Sequence, residues 1–107
     1  MNIAYIMVLV TTNNKPEAEK ISQTLLEKKL IACANIISPI SSCFLWQGKI
    51  DKATESLIIM KSRTDLFPEL SQQIKSLHSY EIPEILALPI VLGSTDYITW
   101  MQSVLKQ

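Results

Sequence analysis

The chain's one histidine lies in His78-Ser79-Tyr80-Glu81-Ile82-Pro83-Glu84, together with a tyrosine and two carboxylates. Imidazole and carboxylate are the groups that move protons near neutral pH, and together they also suit a labile transition-metal site. His78, Glu81 and Glu84 are therefore the candidate metal ligands. One imidazole and two carboxylates form a short donor set. A thiol from Cys33 or Cys43 could complete it only through the fold or a neighbouring chain. A histidine near a helix end also has a structural reading, as a partner for the helix dipole or a free carbonyl.

Other chemistries find less support. A Cys33/His78 dyad would join a nucleophile to a base, since such partners are distant in sequence. Cys33, however, sits inside Ile31-Ala32-Cys33-Ala34, a buried-strand context that hides the sulfur and reads as structural. No carboxylate pair is flanked by an obvious substrate pocket, so no enzymatic activity is expected. With Gly48 and Gly93 as the only glycines, no glycine-rich loop can cradle a phosphate. A nucleotide would have to lean on Lys61 or Arg63 in a cleft between subunits, and both read equally well as solvated strand ends. Trp46 and Trp100 read as packing anchors before ligand stackers.

The elements that position these residues follow from periodicity and punctuation. Ile3 to Thr12 is apolar and β-branched, a strand. Asn14, with Glu17 three residues on, caps a helix that puts Ala18, Ile21, Leu25 and Leu26 on one side. Leu30 to Ile37 is a second strand, interrupted by Pro39. Gln47-Gly48 marks a hairpin tip, and Leu57 to Met60 is a third strand core. Thr64 or Asp65 caps a second helix through Leu66, Phe67, Leu70, Ile74 and Leu77. Ile85 to Leu92 is the fourth strand, with Pro89 at an edge or bulge. Ser94 or Thr95 caps a last helix whose Tyr97, Trp100, Met101, Val104 and Leu105 share a face. The order is the α+β, ferredoxin-like β-α-β-β-α-β arrangement with an added C-terminal helix, in one domain over residues 1–107.

Composition narrows the function. Ten basic residues balance ten acidic ones, without a Lys/Arg cluster, so nucleic acid and anionic membranes are poor partners. No apolar run reaches eighteen residues, and the N-terminus lacks a basic leader. Cys33 and Cys43 have no zinc-type spacing, and ten extended residues would separate them by about 33 Å. These features predict a soluble cytoplasmic protein with reduced thiols.

The strands carry a further message. Tyr5 to Val10, Leu57 to Met60 and Ile85 to Leu88 are apolar at both parities. A sheet open to water on one side should alternate. One short terminal helix cannot cover a whole sheet face, so the pattern predicts a homo-oligomer with sheet faces turned inward.

Cys33-Ala34-Asn35, Trp46-Gln47-Gly48-Lys49-Ile50, Glu55 with Met60-Lys61-Ser62, the His78–Glu84 segment and Gly93-Ser94-Thr95-Asp96-Tyr97-Ile98-Thr99-Trp100 occur in that order. From Val8 to Trp100 the chain resembles the CutA family of divalent-cation-tolerance proteins. The resemblance implies a homotrimer of ferredoxin-like subunits, similar in architecture to PII signal proteins, with a role in tolerance of copper and other divalent metals. It also implies that the hairpin around Trp46 reaches across subunits and that His78 to Glu84 lies near an intersubunit cleft. Cys33, Trp46, Lys61 and Tyr80 are then the candidates to touch a ligand there. Ser79 stands where the family usually has proline. Leu77 and Val10 stand where copper-binding members can carry histidine and cysteine. The expectation is a non-enzymatic trimer with no required cofactor, in which a divalent cation such as Cu2+ binds weakly or through an intersubunit site. The alternative is a PII-like sensor of a small molecule in the intersubunit cleft.

Overall fold

The structure is a computed structural model and describes residues 4–107, so Ile3 of the expected first strand lies outside it. Strand β1, Tyr5–Thr12, alternates strictly between buried and half-buried residues. Helix α1, Lys15–Glu27, starts as the sequence predicts: Asn14 Oδ1 accepts the Glu17 N–H at 2.9 Å. Glu17 Oε1 returns the favour to the Asn13 N–H at 2.9 Å, a capping box shifted by one residue. The helix ends without glycine. Lys29 takes the left-handed conformation (φ 58°), and the Lys29 and Leu30 N–H groups close onto the Leu26 and Leu25 carbonyls.

Strands β2, Cys33–Trp46, and β3, Lys49–Arg63, form a long hairpin. Gln47 and Gly48 both have positive φ (51° and 77°), as a two-residue hairpin turn requires. Both strands run further than expected, because Pro39 does not end β2. Register passes from Ile37↔Leu57 to Ile40↔Glu55, so Ser38 and Pro39 bulge opposite Ser56. Strand β2 is at the sheet edge, where a proline costs no ladder bond on its solvent side.

A short 3-10 turn, Thr64–Leu66, leads into α2, Phe67–Leu77. Neither Thr64 nor Asp65 caps α2 with its side chain; Asp65 instead pairs with Arg63 Nε at 2.5 Å. Strand β4, Ile85–Pro89, stops short of Leu92, and the next N–H, of Ile90, still bonds the Tyr5 carbonyl. Ser94 Oγ caps α3, Thr95–Val104, by accepting the Tyr97 N–H.

The sheet order is β2-β3-β1-β4 with every neighbour antiparallel, the ferredoxin-like topology. On one face Ile6, Val8, Val10, Ile58 and Met60 form a core with Ala18, Ile21 and Leu25 of α1 and Leu70 and Ile74 of α2. The other face carries Met7, Leu9, Leu57, Ile59, Leu86 and Leu88, which the register places side by side. Helix α3 lies across only one end of it. There Gln102 accepts from the Tyr5 hydroxyl and from Arg63, which also donates to the Lys106 carbonyl. The single apolar face expected for α3 is split accordingly. Met101 and Leu105 are buried, while Tyr97 and Trp100 stay exposed. Among the described residues Leu86 and Leu88 remain 55% and 39% exposed.

Candidate functional site

The segment after α2 is anchored from beneath by His78, whose side chain is wholly buried. Its Nε2 lies 2.7 Å from the Thr11 carbonyl oxygen, and its Nδ1 accepts the Tyr80 N–H at 3.0 Å. An amide can only donate, so the network assigns the lone pair to Nδ1 and the proton to Nε2. The ring is a neutral bracket between β1 and the loop, and both nitrogens are engaged.

Glu17 reaches the same loop from α1. Its Oε2 accepts the Ser79 N–H at 2.7 Å and lies 3.9 Å from His78 Nδ1. Burial pushes this carboxyl up, but the hydrogen bonds from Ser79 and Asn13 outweigh it and hold the group below its ordinary value. A proline at position 79 would lack the N–H that makes this clasp.

Tyr80 points the other way. Its hydroxyl donates to Glu55 Oε2 at 2.7 Å, and Glu55 is only 8% exposed. Burial, this hydrogen bond and the charges of Glu55 and Glu17 all push the phenol far above its ordinary value. The Tyr80 ring also sits 4.8 Å from the His78 ring.

Between this loop and the β2–β3 arm lies a groove of about 930 Å³. Phe44, Trp46, Asp51 and Glu55 form the arm's wall; Tyr80, Glu81 and Glu84 form the loop's wall. The register explains the arm: Phe44 faces Asp51, and Ile40 faces Glu55, so alternate residues of both strands turn to one side. Among the described residues no lysine, arginine or histidine lines the groove.

The expected site residues thus separate. Trp46, Tyr80, Glu81 and Glu84 meet in the groove, whereas His78 is sealed behind its wall. Cys33 and Lys61 lie at the far end of the hairpin, at the start of β2. There the Lys61 Nζ donates to Asn35 Oδ1 and sits 3.8 Å from Cys33 Sγ. Burial and the Cys33 thiol push the Tyr97 hydroxyl up from its ordinary value. Within one chain the donor set His78, Glu81 and Glu84 is not assembled. Among the described residues no three His, Cys, Asp or Glu side chains converge as a metal site.

The model of the CutA1 divalent ion tolerance protein family matches residues 6–104. The chain belongs to the CutA1 family. It is 38% identical over 96 residues to the divalent-cation tolerance protein CutA of Thermus thermophilus, covering 90% of this chain and 93% of that protein. Its fold is similar to the periplasmic divalent cation tolerance protein CutA of Archaeoglobus fulgidus, with TM-score 0.92 and 41% identity over 95% of this chain and 99% of the other. CutA1 from Oryza sativa superposes with TM-score 0.95 at 34% identity, over 98% and 96% of the two chains. CutA1 membership thus agrees with the topology and with the motif order.

Reading the residues for chemistry missed Asp51, Phe44 and Glu17 and took Glu55 only as a family marker. Asp51, Ala53 and Glu55 alternate in β3, which does hint at one lined face. Nothing local links that face to Tyr80. No helix among the described residues is long and apolar enough to cross a membrane.

Proposed function

We propose that the chain serves in divalent-cation tolerance as a non-enzymatic cytoplasmic homotrimer, binding divalent ions such as Cu2+ weakly through the groove carboxylates. Membership of the CutA1 family supports the role. One observation carries the cation reading: Glu55 is a buried carboxylate whose single hydrogen-bond partner among the described residues is the neutral Tyr80 hydroxyl. A buried charge of this kind favours a cation. Since His78 offers no free lone pair and no tight donor cluster forms, the interaction is electrostatic and labile, with oxygen donors that do not single out copper.

The trimer is supported by the apolar sheet face beside Leu86 and Leu88 and by the arm's exposed Leu45 and Ile50, at 78% and 76%. The two free thiols fit a reducing compartment. Light scattering should return about three times the 12.1 kDa chain mass, and a stable monomer would sink the assembly. Calorimetry with Cu2+ should show weak binding that salt and Glu55→Gln both diminish. Binding untouched by either change would dispose of the groove as the cation site. The groove's size and aromatic wall favour a second reading, a PII-like sensor holding a small molecule in the intersubunit cleft.

A further inference from the structure

We infer that Cys33 and Lys61 form a modification site, where a peroxide oxidises the thiol and the lysine nitrogen then closes a reversible S–N cross-link between β2 and β3. The site lies apart from the groove, and it does not depend on the cation reading.

Cys33 and Lys61 stand directly opposite one another in the β2–β3 ladder, 28 residues apart in sequence. Opposed residues share a face of the sheet, with Cβ atoms about 4.5–5.5 Å apart. Here the pairing brings Lys61 Nζ to 3.8 Å from Cys33 Sγ. The expected concealment of the sulfur fails on parity. Met60 and Ser62 turn into the core, so Lys61 and its partner Cys33 turn to the opposite face, where Cys33 is only half-buried.

The chain itself supplies the partial cover. Tyr97, in the first turn of α3, brings its hydroxyl to the Cys33 sulfur, and Asn35 Oδ1 accepts from Lys61 Nζ. The pair therefore sits at the end of the sheet that α3 crosses, not in the arm. An N–H and an O–H facing a half-buried sulfur make the electropositive, partly accessible setting in which thiols react.

What surrounds the thiol decides the product of its oxidation. The only other cysteine, Cys43, lies ten residues further along β2, roughly 30 Å away at strand rise. No carboxylate pairs with Lys61 among the described residues, and its oxygen partner is the neutral amide of Asn35. A sulfenic acid at Cys33 thus has an amine beside it and no thiol of its own chain within reach. Sulfenic acids condense with a neighbouring thiol or nitrogen, and without one they pass on to the irreversible sulfinic acid.

The chemistry balances with peroxide as the oxidant. The sulfur attacks one peroxide oxygen, the O–O bond breaks, and the departing hydroxide takes the thiol proton and leaves as water. Sulfur is oxidised by two electrons and the peroxide is reduced by two. The Lys61 nitrogen, having given one proton to solvent, then attacks the sulfur. The S–O bond breaks, and the hydroxyl leaves as water with a second nitrogen proton. A thiol reductant supplies two electrons and two protons and restores both side chains.

The test is mass spectrometry of the intact oligomer in a Cys43→Ser background, after treatment with hydrogen peroxide under native conditions. The chain should become about 2 Da lighter, by the two hydrogens removed, and regain them with dithiothreitol. Digestion should yield one pair of peptides joined through Cys33 and Lys61. Lys61→Arg in the same background keeps the positive charge but offers a weakly nucleophilic guanidinium. It should lose no mass and instead become about 32 Da heavier, as the sulfinic acid. An inert thiol, passage of the parent to sulfinic acid without the mass loss, or a covalent dimer through two Cys33 sulfurs would each overturn the inference. So would a mass loss that persists in Lys61→Arg. Matched circular dichroism of the two proteins confirms that both are folded.

Discussion

Replacing Glu17 by glutamine tests the clasp that sets the loop in place. The carboxylate takes the Asn13 N–H at 2.9 Å on one oxygen and the Ser79 N–H at 2.7 Å on the other. Hydrogen bonds to a charged partner contribute about 1.5–3 kcal/mol each, against about 1 kcal/mol for a neutral pair. Glutamine keeps one acceptor and turns an NH2 group towards the second N–H. One charged bond is lost and the other becomes neutral, about 2–5 kcal/mol in sum. The side chain is 14% exposed, and solvent screening brings the expected loss to about 2 kcal/mol. Urea unfolding at pH 7 and equal protein concentration should show this as a lower midpoint with an unchanged slope.

The acid limb then separates charge from shape. The Glu17 pKa is lowered in the folded state from an ordinary 4.5. Its contribution is therefore complete above about 4.5 and fades as pH falls through the depressed folded value. Wild type should lose this increment in that window, while Glu17→Gln has none to lose, so the two curves converge in acid. A gap that stays constant from pH 7 to acid, or one under about 0.5 kcal/mol at pH 7, would refute the reasoning.

Two further outcomes bear on the same loop. Nitrogen-15 NMR of the imidazole should show His78 protonated at Nε2 and bare at Nδ1, and the reverse pattern would undo the assignment of its partners. Tyr80→Phe leaves the buried Glu55 without its donor and should cost about 2 kcal/mol in urea unfolding. In ultraviolet titration of Glu55→Gln, Tyr80 should ionise nearer its ordinary 10.0 than in wild type; an unmoved titration would remove Glu55 as a cause.

Much of the scaffold was legible because its causes are local. The Asn14 cap, the Gln47-Gly48 turn and the Ser94 cap each act within a few residues, and each stands where the sequence predicts. The misjudged ends share a different cause. Pro39 looked like a stop, but an edge strand can absorb it in a bulge; Thr64 looked like a cap, but the chain tightened into a 3-10 turn first. In α3 periodicity alone grouped Tyr97 and Trp100 with Met101, and only the helix's seat across the sheet end shows which of them are covered.

Composition and pattern by themselves determined the element order, the sheet's two apolar faces and the family likeness, because spacing and punctuation are properties of the chain. The groove was decided in three dimensions. A straight count along β2 puts Phe44 and Trp46 on the face opposite Cys33 and Asn35. The bulge at Ser38 and Pro39 reverses that parity and turns both rings to the side of Asp51 and Glu55. For His78 the sequence leaves a ligand and a structural reading side by side, and its partner Thr11, 67 residues away, is visible only in the fold. A lone pair's availability depends on what the folded chain brings to it, and no local pattern encodes that.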